Sequence, residues 1–116
     1  MIIRLCQLSN IPLINVVRKE EQVRILKEEL GCTHVLNSSS ATFLTEFEKL
    51  TRELRATALI ECIGGDTTAT YLEKMPSGTT CILYGSLREV ALEGFDPLLM
   101  IRRNYAVEGF ILNEYI

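Results

Sequence analysis

Four places in this chain put chemically useful residues at the end of a β-branched run: Arg18-Lys19, Ile63-Gly64-Gly65, Tyr84-Gly85-Ser86 and Gly109-Phe110. An arginine can grip an anion through its two-pronged guanidinium fork, with a neighbouring lysine as a point charge beside it. Glycine lets a flat ligand approach the backbone where a Cβ would collide. Each feature also has a plain structural reading. Arg18-Lys19-Glu20-Glu21 fits a solvated helix start, and the glycines fit tight strand-to-helix turns. Their recurrence at successive strand ends is what favours a binding edge. The remaining chemistry-bearing residues are scattered. Cys6, Cys32, Cys62 and Cys81 stand singly with no C-x-x-C pair, and His34 is the only histidine. Zinc sites draw their ligands from close pairs, so these cysteines read as free thiols and no metal site is expected. No residue combination suggests a catalytic group, and His34 reads as a packed or surface residue.

The elements that would carry these ends alternate in period. Residues 1–8 already have an amphipathic helical pattern. Leu13-Ile14-Asn15-Val16-Val17 reads as a strand, then Val23, Leu26 and Leu30 mark a helix face that Gly31 stops. Thr33-His34-Val35-Leu36 is a short strand, and Asn37-Ser38-Ser39-Ser40 supplies turn and cap chemistry. Phe43, Phe47, Leu50 and Leu54 form the stripe of a third helix. The second half repeats this order. Ala58–Ile63 is a strand running into Gly64-Gly65, and Asp66 is placed to cap a helix carrying Thr68, Leu72 and Met75. Pro76 ends that helix. Thr79–Tyr84 is the next strand, Asp96-Pro97 opens a short helix, and Tyr105–Phe110 is a last strand. Strands alternating with helices predict an α/β fold with a parallel sheet. The chain reads as a Rossmann-like doubly wound parallel sheet lacking its first strand and glycine-rich loop, one domain over residues 1–116.

Composition narrows the function classes. The chain is 47% hydrophobic and 23% charged, with a formal net charge of -3. That balance argues against a nucleic-acid or anionic-membrane surface. No apolar run approaches the roughly 20 residues of a membrane span, and residue 1 is not followed by a secretory signal. An intracellular protein, cytoplasmic or mitochondrial, is expected. In open parallel sheets, ligands bind at the carboxyl ends of the strands. Enzymes that prefer NAD place an acid after the second strand, whereas a cation there accommodates the 2′-phosphate of NADP. Arg18 holds that position, so NADP(H) is the sharper expectation for any dinucleotide.

The series Ile14-Asn15-Val16-Val17-Arg18, Leu30-Gly31-Cys32-Thr33-His34-Val35-Leu36-Asn37, Glu61-Cys62-Ile63-Gly64-Gly65, Met75-Pro76-Ser77-Gly78-Thr79 and Tyr84-Gly85-Ser86 resembles the cofactor domain of the medium-chain dehydrogenase/reductases. Within that superfamily it is most similar to the zinc-independent quinone oxidoreductases and enoyl reductases. The resemblance spans essentially the whole chain. It implies that Arg18 reads the adenosine 2′-phosphate with Lys19 as a helper. It also implies that Ile63 and Gly64 pack near the adenosine half, Tyr84, Gly85 and Leu87 near the nicotinamide side, and Phe110 with Ile111 at the nicotinamide mouth. The implied reaction is hydride transfer from NADPH to a quinone, enone or enoyl thioester. Its substrate pocket would lie on a separate catalytic domain that these residues do not include. Met1 aligns inside the family's first helix, which implies a truncation, an internal start or a partial gene.

In the strand order 3-2-1-4-5-6 the absent first strand is central. Losing about five buried side chains at roughly 1.5 to 3 kcal/mol each removes about 8 to 15 kcal/mol of apolar burial. Two remedies are expected: direct pairing of the strands on either side of the gap, or a partner chain, with a homodimer as the simplest form. Loss of the phosphate loop should cost two charge-assisted bonds, roughly 3 to 6 kcal/mol, leaving NADP(H) binding weak or lost and the fragment inactive. The main alternative is a non-enzymatic Rossmann-like module for dimerisation or partner binding through the edge strand near Tyr105–Phe110. A flavodoxin-like or receiver domain fits less well, because Asp66 and Asp96 are not placed as a phosphoryl-accepting cluster.

Overall fold

The computed structural model describes residues 2–111. Its elements run α1 (Ile2–Leu8), β1 (Ile14–Val17), α2 (Glu20–Glu28), β2 (His34–Asn37), α3 (Phe43–Glu53), β3 (Ala58–Glu61), α4 (Thr67–Glu73), β4 (Thr80–Leu83), α5 (Pro97–Arg103) and β5 (Ala106–Gly109). The alternation expected from the sequence is therefore present, and every strand pairing is parallel. The chain divides into two compact units, residues 1–50 and 51–116.

In the first unit β1 and β2 pair in register from Ile14↔His34 to Val17↔Asn37, and α2 packs on both strands. Asn37, expected in a turn, is thus the last residue of a strand and lies beside Val17. Helix α2 ends before the expected apolar stripe does. Val23 is buried and Leu26 half-buried, but Leu30 lies beyond the helix and is exposed. Gly31, at φ +68°, completes the stop. Val35, Phe43 and Phe47 are the other buried apolar side chains of this unit, with the two phenyl rings 5.6 Å apart. The apolar face of α1 is not buried: Ile2, Leu5 and Leu8 are all exposed.

The second unit carries a three-stranded sheet in the order β3-β4-β5. Its buried apolar residues are Leu59, Ala69, Leu72, Met75, Cys81 and Tyr105. The C-terminal end of α4 is tied to the start of β5 across thirty residues of chain. The Tyr105 hydroxyl donates to the Met75 carbonyl at 2.5 Å, and Arg103 Nη1 donates to the Glu73 carbonyl at 2.6 Å. These bonds satisfy carbonyls that a helix end leaves without partners. Asp96 caps α5 as expected, accepting from the Leu98 N–H at 3.0 Å with Pro97 at the first helical position. Asp66 occupies the cap position of α4 without a cap bond, because its carboxylate pairs with Arg88.

One expectation is corrected. The strands that would flank the absent central strand, β1 and β3, do not pair among the described residues; the five strands form two separate sheets. A short strand saves few ladder bonds by crossing a gap. Each of these already has a parallel neighbour joined to it by its own helical connection.

Candidate functional site

The first unit holds the cationic strand end. Arg18 and Lys19 follow β1 and are both exposed. Their backbone is pinned from three directions. Gln22 Oε1 accepts from the N–H groups of Arg18 and Lys19, each at 3.2 Å. The Ser39 hydroxyl donates to the Arg18 carbonyl at 2.8 Å, and the Ser38 N–H donates to the Val17 carbonyl at 2.7 Å. Asn37 organises the same corner: its Nδ2 donates to Glu20 Oε2 at 2.8 Å, and its Oδ1 accepts from the Ser39 N–H at 2.8 Å. Among the described residues the Arg18 guanidinium has no hydrogen-bond or ion-pair partner. A cation held on a fixed backbone with its fork unengaged suits an exogenous anion such as a phosphate monoester.

The second unit holds the other strand ends. Glu61, the last residue of β3, is only 4% exposed. Its carboxylate accepts from the Ile63 N–H at 2.7 Å and from the Thr68 hydroxyl in α4. By taking the Ile63 N–H, Glu61 turns the chain out of the sheet, which is why β3 stops before the expected Ile63. The chain then passes through Gly64 and Gly65 at φ +83° and +61°, a region that L side chains rarely adopt. What approaches these glycines is the protein itself. A Cβ on Gly64 would meet Ser86 Oγ at 3.0 Å, and one on Gly65 would meet Arg88 Nη1 at 2.6 Å. Ile63 is half-buried and Gly64 buried, whereas Tyr84, Gly85, Leu87, Phe110 and Ile111 are exposed. Gly85 lies against Cys62, the Leu87 N–H donates to the Cys62 carbonyl at 2.8 Å, and the Phe110 N–H donates to the Leu83 carbonyl at 2.8 Å. The expected ligand-facing residues of this unit thus gather around the ends of β3 and β4, with Arg18 and Lys19 at the end of β1 in the other unit. Sequence reading gave Asn37 only turn and cap chemistry, named Ser86 only within the Tyr84-Gly85-Ser86 strand end, and assigned nothing to Glu61 or Arg88 at the site. The alternation of Glu61 with Leu59, and a threonine seven residues on, was the available signal for the buried carboxylate.

Two groups near β4 have raised pKa values. Burial, with a contribution from the Glu61 charge, pushes the Cys81 thiol from 9.0 up to about 11. A side-chain hydrogen bond with Cys62, then partial burial and the charges of Cys62 and Glu61, raises the Tyr84 phenol. A thiol whose folded value lies above its unfolded one favours the native state while it stays neutral. Its contribution is complete below about pH 9 and is lost as the pH rises to about 11. The expected loss is on the order of 2 kcal/mol. Urea titrations across that range should show the midpoint falling less steeply in Cys81→Ala than in the parent; equal slopes would disprove the assignment.

Zinc does not fit the described residues. Cys81 is buried, Cys6, Cys32 and Cys62 are half-buried, and among the described residues no three His, Cys, Asp or Glu side chains come together to hold a metal. Among the same residues no helix is long and apolar enough to cross a membrane.

Helix-connected parallel strands with a cation after the first and glycine turns after a later one define a Rossmann-like α/β fold. The chain belongs to the zinc-binding dehydrogenase family, whose model matches residues 1–115, the cofactor-binding domain of the medium-chain dehydrogenase/reductases. Among solved structures it is similar to a candidate NADPH:quinone reductase from Mesorhizobium loti, with 27% identity and a TM-score of 0.87 over 98% of this chain and 33% of that one. It is similar in fold to the mitochondrial 2-enoyl thioester reductase heterodimer from Candida tropicalis, at 22% identity and a TM-score of 0.76 over 96% and 32%. The NADPH complex of CurA from Vibrio vulnificus gives 19% and 0.74 over 97% and 36%. The chain therefore spans about a third of the length of these proteins. No curated protein matches it.

Proposed function

We propose that residues 1–116 act as one Rossmann-like domain, the NADPH-binding part of a reductase that delivers hydride to a quinone, enone or enoyl thioester. The carrying observation is the Arg18 guanidinium, unengaged among the described residues on a backbone fixed by Gln22 and Ser39. In this reading Arg18 and Lys19 hold the 2′-phosphate. Ile63 and Gly64 flank the adenosine half, Tyr84, Gly85 and Leu87 the nicotinamide side, and Phe110 and Ile111 its mouth. Bound NADPH would supply the hydride; the chain's own residues bind and orient it. In this reading the substrate pocket lies outside residues 1–116, so these residues alone turn nothing over, and their own affinity for NADP(H) is weak. The reductases among its structural neighbours support the reductase class, and the mitochondrial one supports the mitochondrial of the two expected settings, cytoplasmic or mitochondrial.

A second reading has its own observation. The outer edge of β5 is unpaired among the described residues, and three of its four residues are exposed. Such an edge can accept another strand, so a homodimer, or a non-enzymatic module serving association, is the alternative. Calorimetric titration with NADPH and NADH, with sedimentation of the same sample, separates the two. The first reading expects heat with NADPH and markedly less with NADH. A stable dimer that binds neither nucleotide would overturn it in favour of the second.

A further inference from the structure

The end of β1 holds two opposed chemistries within three residues: the Arg18 guanidinium, suited to a 2′-phosphate, and the Glu20 carboxylate, suited to ribose hydroxyls. We infer that Asn37 decides between them, acting as a selectivity-determining positioning residue by holding Glu20 away from the phosphate side of Arg18. The inference rests on the reading of this unit as the adenosine-binding half of an NADPH site. Asn37 is the register partner of Val17, so its side chain leaves the sheet beside the residue that precedes Arg18. Its amide works in both directions. Nδ2 donates to Glu20 Oε2 at 2.8 Å, engaging the acid nearest to Arg18 in sequence. Oδ1 accepts from the Ser39 N–H at 2.8 Å, and the Ser39 hydroxyl in turn holds the Arg18 carbonyl at 2.8 Å. One side chain thus restrains the competing carboxylate and, through Ser39, supports the backbone that presents the cation. With Asn37 removed, Glu20 is released to pair with the guanidinium or to repel the phosphate. Both outcomes weaken NADPH and spare or favour NADH. The donor group matters because the Asn37 amide offers its N–H to Glu20 and its carbonyl to Ser39 together.

The test measures the ratio of NADPH to NADH affinity in the parent chain, Asn37→Ala, Glu20→Ala and the double variant, with adenosine 2′-monophosphate and adenosine 5′-monophosphate as probes of the adenosine end alone. Asn37→Ala should lower the ratio about tenfold, the size of one charge-assisted bond. Adding Glu20→Ala should bring it back to within about threefold of the parent, the non-additivity expected of groups acting through each other. A purely structural role for Asn37 would weaken all the probes alike, and removing Glu20 would not restore the ratio. If Asn37→Ala does not fold by circular dichroism, Asn37→Asp keeps the acceptor for Ser39, loses the donor to Glu20 and should lower the ratio in the same direction. An unchanged ratio, or a double variant no better than Asn37→Ala, overturns the role of Asn37 while Arg18-dependent NADPH binding leaves the nucleotide reading intact. A parent chain that binds neither nucleotide nor adenosine 2′-monophosphate overturns both.

Discussion

Arg18→Glu should cut NADPH affinity by roughly a hundredfold to ten-thousandfold and leave NADH affinity nearly unchanged. The range follows from losing the two charge-assisted bonds of a bidentate arginine–phosphate pair, about 1.5 to 3 kcal/mol each. The reversed charge then adds repulsion toward the phosphate. Arg18 is exposed, so screening places the effect toward the lower end at physiological ionic strength, and it should grow as salt is removed. The fold gives the substitution little reason to disturb structure, because the backbone of Arg18 is held by Gln22 and Ser39, not by its own side chain. Calorimetry with both nucleotides reads the affinities, and sedimentation reads association, which should not change. NADPH binding that survives the substitution would remove Arg18 from the site and leave the association module as the better account.

The largest expected effect on stability comes from Glu61→Ala, a loss of about 2 to 5 kcal/mol in urea unfolding. Two donors depend on that carboxylate, the Ile63 N–H and the Thr68 hydroxyl, and Thr68 is fully buried. An orphaned buried donor costs about 1 to 3 kcal/mol, and the vacated side-chain volume adds to it. Thr68→Val alone should cost less, since it leaves Glu61 the Ile63 N–H. The double variant should fall short of the sum, because the Thr68 donor can be lost only once. Additive losses would mean that the two residues stabilise the strand end separately. Glu61→Gln should recover part of the loss by restoring an acceptor for Ile63.

The order of helices and parallel strands was legible because apolar period switches at each boundary, and the Asp96-Pro97 start was legible because both residues act locally. Asp66 looked equally local, yet its carboxylate goes to Arg88, twenty-two residues away, and no spacing rule encodes that choice. Glu61 had no role in the sequence beyond its place in the Ala58–Ile63 strand. In the structure it shares the buried side with Leu59 while Ala58 and Ile60 are exposed, because a threonine hydroxyl and a backbone N–H satisfy the carboxylate. The division of the strands into two sheets was outside the reach of pattern, which gives the direction of a strand but not its neighbours. At the candidate site the sequence singled out the cation and the glycines as expected ligand contacts. It gave Asn37 only turn and cap chemistry, because the bonds to Glu20 and Ser39 depend on its lying beside Val17 in the ladder.

The bonds from Tyr105 to Met75 and from Arg103 to Glu73 also set a schedule for synthesis. At a ribosomal rate of about 5 to 20 residues per second, Met75 precedes its partner by about 2 to 6 s. Through that interval Leu72 and Met75, later among the most deeply buried side chains, lack the Tyr105 and Arg103 bonds that tie down their end of α4. Slow translation between these positions therefore lengthens the time in which a nascent chain can be captured by a chaperone or lost to aggregation.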